Sequence, residues 1–244
     1  MEPDEALQNV PFRNCPGVSR VPVAAELSDC AIELWEIDLV AARQSRDWEA
    51  LLSADERDRA ARYRQIDDRH QFVTMRGLSR LHLGACLGIA PEAVRFCYGD
   101  RGKPAIAPDL QSSPPLEFNT SHSGGVALLS LSWVGAIGVD LEAPNLDRPI
   151  RRLAKRFFLH HEIAHLEHVA PQAQTSLFLR YWTCKEAYLK ATGVGLSGLK
   201  NTPTFRLGRG SVSQSITDSN QRRWILHMPT LQCLYPSAIA IEIT

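Results

Sequence analysis

Apolar positions recur every second residue in some stretches of the chain and every three or four in others. Within Ala31–Leu39, Ile32, Leu34 and Ile37 alternate roughly with other residues, which predicts a strand. Phe72, Met75, Leu78 and Leu81 recur at helical spacing, and Arg69, Arg76 and Arg80 share the other, solvated face. A basic helix through Arg57, Arg59, Arg62 and Arg64 precedes it, opened by the capping-box pattern Ser53-Ala54-Asp55-Glu56 and separated from it by Asp67-Asp68. Asp100-Arg101-Gly102-Lys103-Pro104 is turn chemistry, and Pro108–Pro115 reads as a loop. Val126–Trp133 and Ala136–Glu142 read as two strands of a hairpin about Gly135. A helix through Ile150–Val169 follows, then a longer one from about Thr175 to Ala191 that Gly193 ends. Strands are expected near Thr204–Leu207, Trp224–Met228 and Ala238–Ile243, with a polar loop over Gly208–Arg223. Residues 1–24, punctuated by Pro3, Pro11, Pro16 and Pro22, read as a loosely held leader. Strands and helices interleave without regular βαβ spacing, so the expected fold class is α+β.

Composition narrows the partners. The 244 residues are 44% hydrophobic, enough for a core, and 27 Lys and Arg balance 27 Asp and Glu. A chain of zero formal charge is not expected to hold nucleic acid by bulk attraction. Its longest apolar stretch, Val126–Val139, is interrupted by Ser130, Ser132 and Gly135 and is too short to span a bilayer. Met1-Glu2-Pro3-Asp4-Glu5 is acidic where a secretory signal would be basic. Cys15, Cys30, Cys86, Cys97, Cys184 and Cys233 lie far apart and form no CxxC pair, so they read as reduced thiols of a cytoplasmic protein.

Three clusters carry candidate chemistry. In Gly138-Val139-Asp140-Leu141-Glu142, strand alternation turns Asp140 and Glu142 to one side, about 7 Å apart, while Val139 and Leu141 face the core. Such a pair either reaches one hard cation or faces water from an edge strand. In the helix around Tyr181–Lys190, Trp182, Glu186 and Lys190 form one stripe, and a large aromatic there is unexpected on a merely solvated face. Phe118-Asn119-Thr120-Ser121-His122-Ser123-Gly124-Gly125 offers hydroxyls, backbone N–H groups and an imidazole, the donors that hold phosphate oxygens. A fourth pattern, His161-Glu162-Ile163-Ala164-His165, satisfies HExxH and raises the alternative of a zinc metalloprotease, with Glu186 available as third ligand.

Taken together, these segments resemble the 4′-phosphopantetheinyl transferases of the larger, surfactin-synthetase-activating type. The matches are Gly102-Lys103-Pro104, Phe118–Ser123, Gly138–Glu142 and Trp182–Lys190, in the family's order. The arginine-rich Ser53–Arg80 stretch and Phe157-Phe158 with Glu162 add to them; Thr120 and Leu159 depart from the usual residues. The resemblance covers roughly residues 30–205. It implies transfer of phosphopantetheine from coenzyme A to a serine of an apo carrier protein, with Mg²⁺ and release of adenosine 3′,5′-bisphosphate. It further implies Asp140, Glu142 and Glu186 as metal ligands, Glu186 as base and Lys190 as a neutraliser of phosphate charge. Arg62, Arg69, Gly102, Lys103, Pro104, Asn119, Ser121 and His122 are then expected to hold coenzyme A, alongside Asp140 and Lys190. The implied architecture is two similar subdomains, 25–133 and 134–244, about a pseudo-twofold, in a monomer without nucleic-acid or membrane partners. A coenzyme A- or carrier-binding protein without turnover is the non-enzymatic alternative.

Overall fold

The protein is described from a computed structural model covering residues 11–23, 27, 32–144, 149–208 and 213–243. Strand β1 (Val18–Arg20) pairs antiparallel with β2 (Ile32–Asp38), which is buried along nearly its whole length. Asp38 ends β2 and caps helix α1 (Leu39–Arg43), its carboxylate accepting the Val40 and Ala41 N–H groups. Helix α2 (Ala54–Ala61) opens as its sequence predicts, with Glu56 accepting the Ser53 N–H at 3.0 Å. Helix α3 (Ile66–Leu87) then runs until Gly88 takes the left-handed conformation at its C-terminus. The short strands β3 (Phe96–Tyr98) and β4 (Pro104–Ile106) flank the Asp100–Lys103 turn, where Gly102 has φ +77°. Strands β5 (Glu117–Ser123) and β6 (Val126–Ser132) complete the first sheet, in the order β1-β2-β6-β5.

Strand β7 (Ile137–Leu141) begins the second sheet. Helices α4 (Ile150–Phe157), α5 (His160–His168) and α6 (Pro171–Thr192) follow, then β8 (Ser213–Thr217), β9 (Arg223–His227) and β10 (Ser237–Ile243). This sheet is antiparallel in the order β7-β10-β9-β8. Met75, Leu78 and Leu81 of α3 pack on Trp35, Ile37, Leu129 and Leu131 of the first sheet. Phe178, Tyr181 and Tyr188 of α6 pack with Trp224, Leu226 and Ala240 of the second. Between the sheets, Leu34 and Leu128 meet Ile137, Val139, Leu141, Ile239 and Ile241. The expected mixture of α and β elements is thus present.

Several expectations change. β6 and β7 are not a hairpin: β6 pairs with β2 and β5, whereas β7 pairs with β10 in the other sheet. The helix expected over Ile150–Val169 breaks after Phe157, because Phe158 turns out of the coil to bury its ring against Phe178 at 5.0 Å. The strand expected near Thr204–Leu207 is coil, with Phe205 buried; Ser213–Thr217 supplies the outer strand instead. That strand carries a single apolar residue, half-buried Ile216, among Ser213, Gln214, Ser215 and Thr217, which is why no apolar run announces it. Of the expected leader, residues 1–10 and 24 lie outside the described residues, but Phe12 is fully buried and stacks on His82 at 4.2 Å. Cys86, Cys97, Cys184 and Cys233 are free thiols. Among the described residues, no helix is long and apolar enough to cross a membrane.

Candidate functional site

Strand β7 carries Asp140 into the junction of the two sheets, where it is only 6% exposed. Its Oδ1 accepts hydrogen bonds from Lys190 Nζ at 2.7 Å and Ser121 Oγ at 2.9 Å. Its Oδ2 is buried with no partner. Helix α6 supplies Lys190 and, one turn earlier, Glu186, as the stripe predicts. Glu186 Oε1 is a second buried carboxylate oxygen without a partner. Burial, then the charges of Asp140 and Glu142, lift the Glu186 carboxyl to about 7 against the pull of Lys190. Burial also raises Asp140, with Lys190 and Ser121 opposing. Glu142 follows the end of β7, half-buried, its N–H donating to Pro236 O. Two orphaned hard oxygens among three mutually repelling acids suit a divalent cation, which would satisfy both and relieve the repulsion. Among the described residues, however, no three His, Cys, Asp or Glu side chains close into a ready metal cage.

Two clefts adjoin, and Glu186 lines the smaller of them. The larger, about 430 Å³, is lined by Arg59, Tyr63, Asp68, Arg76, Tyr98 and His122 among others. The smaller, about 210 Å³, has Arg101, Lys103, Asn119, Glu186 and Lys190 in its wall. Gly102, Pro104 and Thr120 border both. His122 is held below its usual value, first by lost hydration and then by Lys190, with Asp68 opposing. It therefore presents a neutral imidazole near pH 7.

The other expected ligands are placed differently. Lys103 Nζ donates to Ile137 O at 3.1 Å and Ala191 O at 3.2 Å, so its ammonium is engaged by the backbone. Arg69 binds both carboxylate oxygens of Glu49 at 3.0 Å and lines neither cleft. Arg62 caps the end of α2, exposed, and also lies outside both. Asn119 Oδ1 accepts the Val139 N–H at 3.0 Å, and Ser121 turns to Asp140 and Lys190. Arg59 and Arg76, which the sequence reading did not single out, are the cations of the larger cleft. Their only sequence signal is their place on the arginine-rich helices; in the structure both guanidinium groups pack over Phe72, at 5.0 and 5.8 Å. Arg80, expected on a solvated face, is buried and bound to Glu56 at 2.7 Å and Val94 O at 2.7 Å.

HExxH has a structural explanation. Glu162 is fully buried, accepts the Leu159 N–H at 2.8 Å and pairs with buried Lys185 at 2.9 Å. A carboxylate so enclosed cannot serve a zinc-bound water as base, and His165 is engaged with the Tyr181 hydroxyl at 2.9 Å. The protease alternative is set aside on that ground.

Residues 136–235 match the 4′-phosphopantetheinyl transferase superfamily, and residues 42–133 match the 4′-phosphopantetheinyl transferase N-terminal family. The chain is 42% identical over 184 residues to the 4′-phosphopantetheinyl transferase HetI of Nostoc sp., covering 73% of this chain and 77% of that protein. It is 31% identical over 178 residues to the 4′-phosphopantetheinyl transferase Sfp of Bacillus subtilis, covering 72% and 76%. It is 40% identical over 114 residues to the 4′-phosphopantetheinyl transferase AcpT of Escherichia coli, covering 47% and 55%.

Proposed function

Since the chain belongs to the 4′-phosphopantetheinyl transferase superfamily, we propose that it moves phosphopantetheine from coenzyme A to a serine hydroxyl of an apo carrier protein. Adenosine 3′,5′-bisphosphate is the leaving product. The serine oxygen bonds to the phosphorus bearing the pantetheine as the bond from that phosphorus to the bridging oxygen breaks. Glu186 receives the serine proton, and the electron pair departs with the nucleotide. Before a cation binds, burial and the neighbouring acids hold this carboxyl at about 7. Lys190, already paired with Asp140, neutralises charge on the phosphates. Asp140, Glu142 and Glu186 would hold Mg²⁺, whose contribution when bound is to offset negative charge on the diphosphate. His122, Gly102 and Pro104, together with Arg59 and Arg76, are assigned the nucleotide end of coenzyme A. Arginine suits that role because its fork pairs phosphate bidentately.

The observation that carries this reading is the pair of orphaned oxygens, Asp140 Oδ2 and Glu186 Oε1, near Lys190 in the wall of the smaller cleft. The two sheets, each with a long helix, support a division into subdomains 25–133 and 134–244 about a pseudo-twofold. A cytoplasmic monomer is part of the same reading. Incubation with coenzyme A, Mg²⁺ and a panel of apo carriers, followed by intact-protein mass spectrometry, should show the carrier gaining one phosphopantetheine. Asp140→Ala and Glu186→Ala should nearly abolish the gain. Full activity in either variant would refute the assigned roles, and binding of coenzyme A without product would revive the non-enzymatic alternative.

A further inference from the structure

Strand β7 pairs with β10 along one edge, and its other edge faces β5, the border strand of the first sheet, without forming a ladder to it. A strand edge presents unpaired N–H and C=O groups, and when buried each needs a partner. Side chains supply them here. Asn119 Oδ1 accepts the Val139 N–H at 3.0 Å, and Ser123 Oγ accepts the Ala143 N–H at 3.0 Å just past the strand. Lys190 Nζ donates to Val139 O at 3.2 Å, and Lys103 Nζ donates to Ile137 O at 3.1 Å. Between them, Ser121 Oγ donates to Asp140 Oδ1 at 2.9 Å.

Strand alternation explains the sorting. Asn119, Ser121 and Ser123 lie on one side of β5 and meet β7, whereas Thr120 and His122 lie on the other and line the larger cleft. All residues lining that cleft lie at or before His122, while Asp140, Glu186 and Lys190 all come after it in the chain. The two walls of the proposed reaction site therefore come from the two halves of the chain, and the β5–β7 joint sets their separation.

We infer that Asn119 is a positioning residue: by accepting the Val139 N–H from inside the joint, it holds the acids on β7 and α6 in register with the cleft on the other side of β5. Ser123 extends the same joint. Asn119 is buried at 4% exposure, so the bond is shielded from competing water. Its kinetic consequences rest on the transferase reading; the hydrogen bond itself does not.

The test combines steady-state kinetics on an apo carrier that the wild type loads, with coenzyme A and Mg²⁺, and amide hydrogen exchange at Val139. Asn119→Leu should lower kcat about a hundredfold, the scale of a misplacement near 1 Å, and leave the KM for coenzyme A unchanged. Asn119→Asp keeps an acceptor for the Val139 N–H and should restore most of the lost kcat. Ser123→Ala, the milder cut, should lower kcat in the same direction with KM unchanged, and it carries the kinetic test if Asn119→Leu does not fold. Val139 exchange should accelerate in Asn119→Leu whether or not transfer is detected. An inactive wild type would thus sink the transferase reading while leaving the joint to be judged by exchange. A raised KM at constant kcat would make Asn119 a direct coenzyme A contact and overturn the inference. So would unchanged Val139 protection in Asn119→Leu, or unchanged kcat in both the Asn119→Leu and Ser123→Ala proteins.

Discussion

Glu186 keeps its proton where an exposed glutamate would have lost it. Burial and the neighbouring Asp140 and Glu142 charges move its carboxyl from 4.5 to about 7. In the metal-free protein, the folded state therefore binds more protons than the unfolded chain between those values. The resulting stabilisation is fully present below pH 4.5 and disappears as pH rises through 7, amounting to at most about 3 kcal/mol before solvent screening. Thermal unfolding of the metal-free wild type should lose more stability across that window than Glu186→Gln does. Parallel pH curves for the two proteins would contradict the assignment. The stripe bearing Trp182, Glu186 and Lys190 was legible from helical spacing, because one residue every turn must share a face. The choice of arginines was not. Arg59 and Arg62 are three residues apart, yet Arg59 lines the larger cleft while Arg62, the exposed C-cap of α2, lines neither. Arg69 was withdrawn by Glu49, a residue from an earlier segment whose approach no local spacing encodes.

Among the elements, α5 and α6 are joined by a buried charge. Lys185 and Glu162 are both fully buried, with Lys185 Nζ also donating to Thr202 Oγ1 at 2.8 Å and Leu199 O at 3.3 Å. Lys185→Met leaves the Glu162 carboxylate enclosed without its counter-charge and should cost about 3–5 kcal/mol in denaturant unfolding. Combining it with Glu162→Gln should recover a large part of that loss. An additive double variant would mean the two groups do not depend on each other. The elements most clearly legible were those with a sharp local signal, such as α2 with its capping box. The supposed hairpin misled because β6 and β7 are buried along almost every residue. A strand covered on both faces has no alternation to declare which sheet it joins.

At the scale of the molecule, two antiparallel sheets share an apolar layer, and the site forms where their edges meet. Gly138 permits this. A Cβ there would fall inside van der Waals contact with the backbone of Ala187 and Ala191 on α6. Those backbone atoms cannot yield as a flexible side chain would, so Gly138→Ala must lift β7 from the helix. The expected cost is about 3 kcal/mol, the upper part of the overpacking range, with loss of carrier loading as Asp140 shifts. Unfolding curves and the mass assay together check it; a stable, fully active variant would show that β7 and α6 need no such closeness.

Local order along the chain was enough to specify most helices and several strands, the turn at Gly102 and the family motifs, since periodicity, caps and short motifs act between near neighbours. It was also enough to nominate Asp140, Glu142, Glu186 and Lys190. Which sheet β7 enters, which arginines reach the cleft, and that Lys103 serves backbone carbonyls all came from tertiary structure. Each depends on a partner brought in from a distant segment, Lys103 to Ala191 for one. Partners of that kind decide whether a polar side chain is left open to a ligand or satisfied by the protein itself.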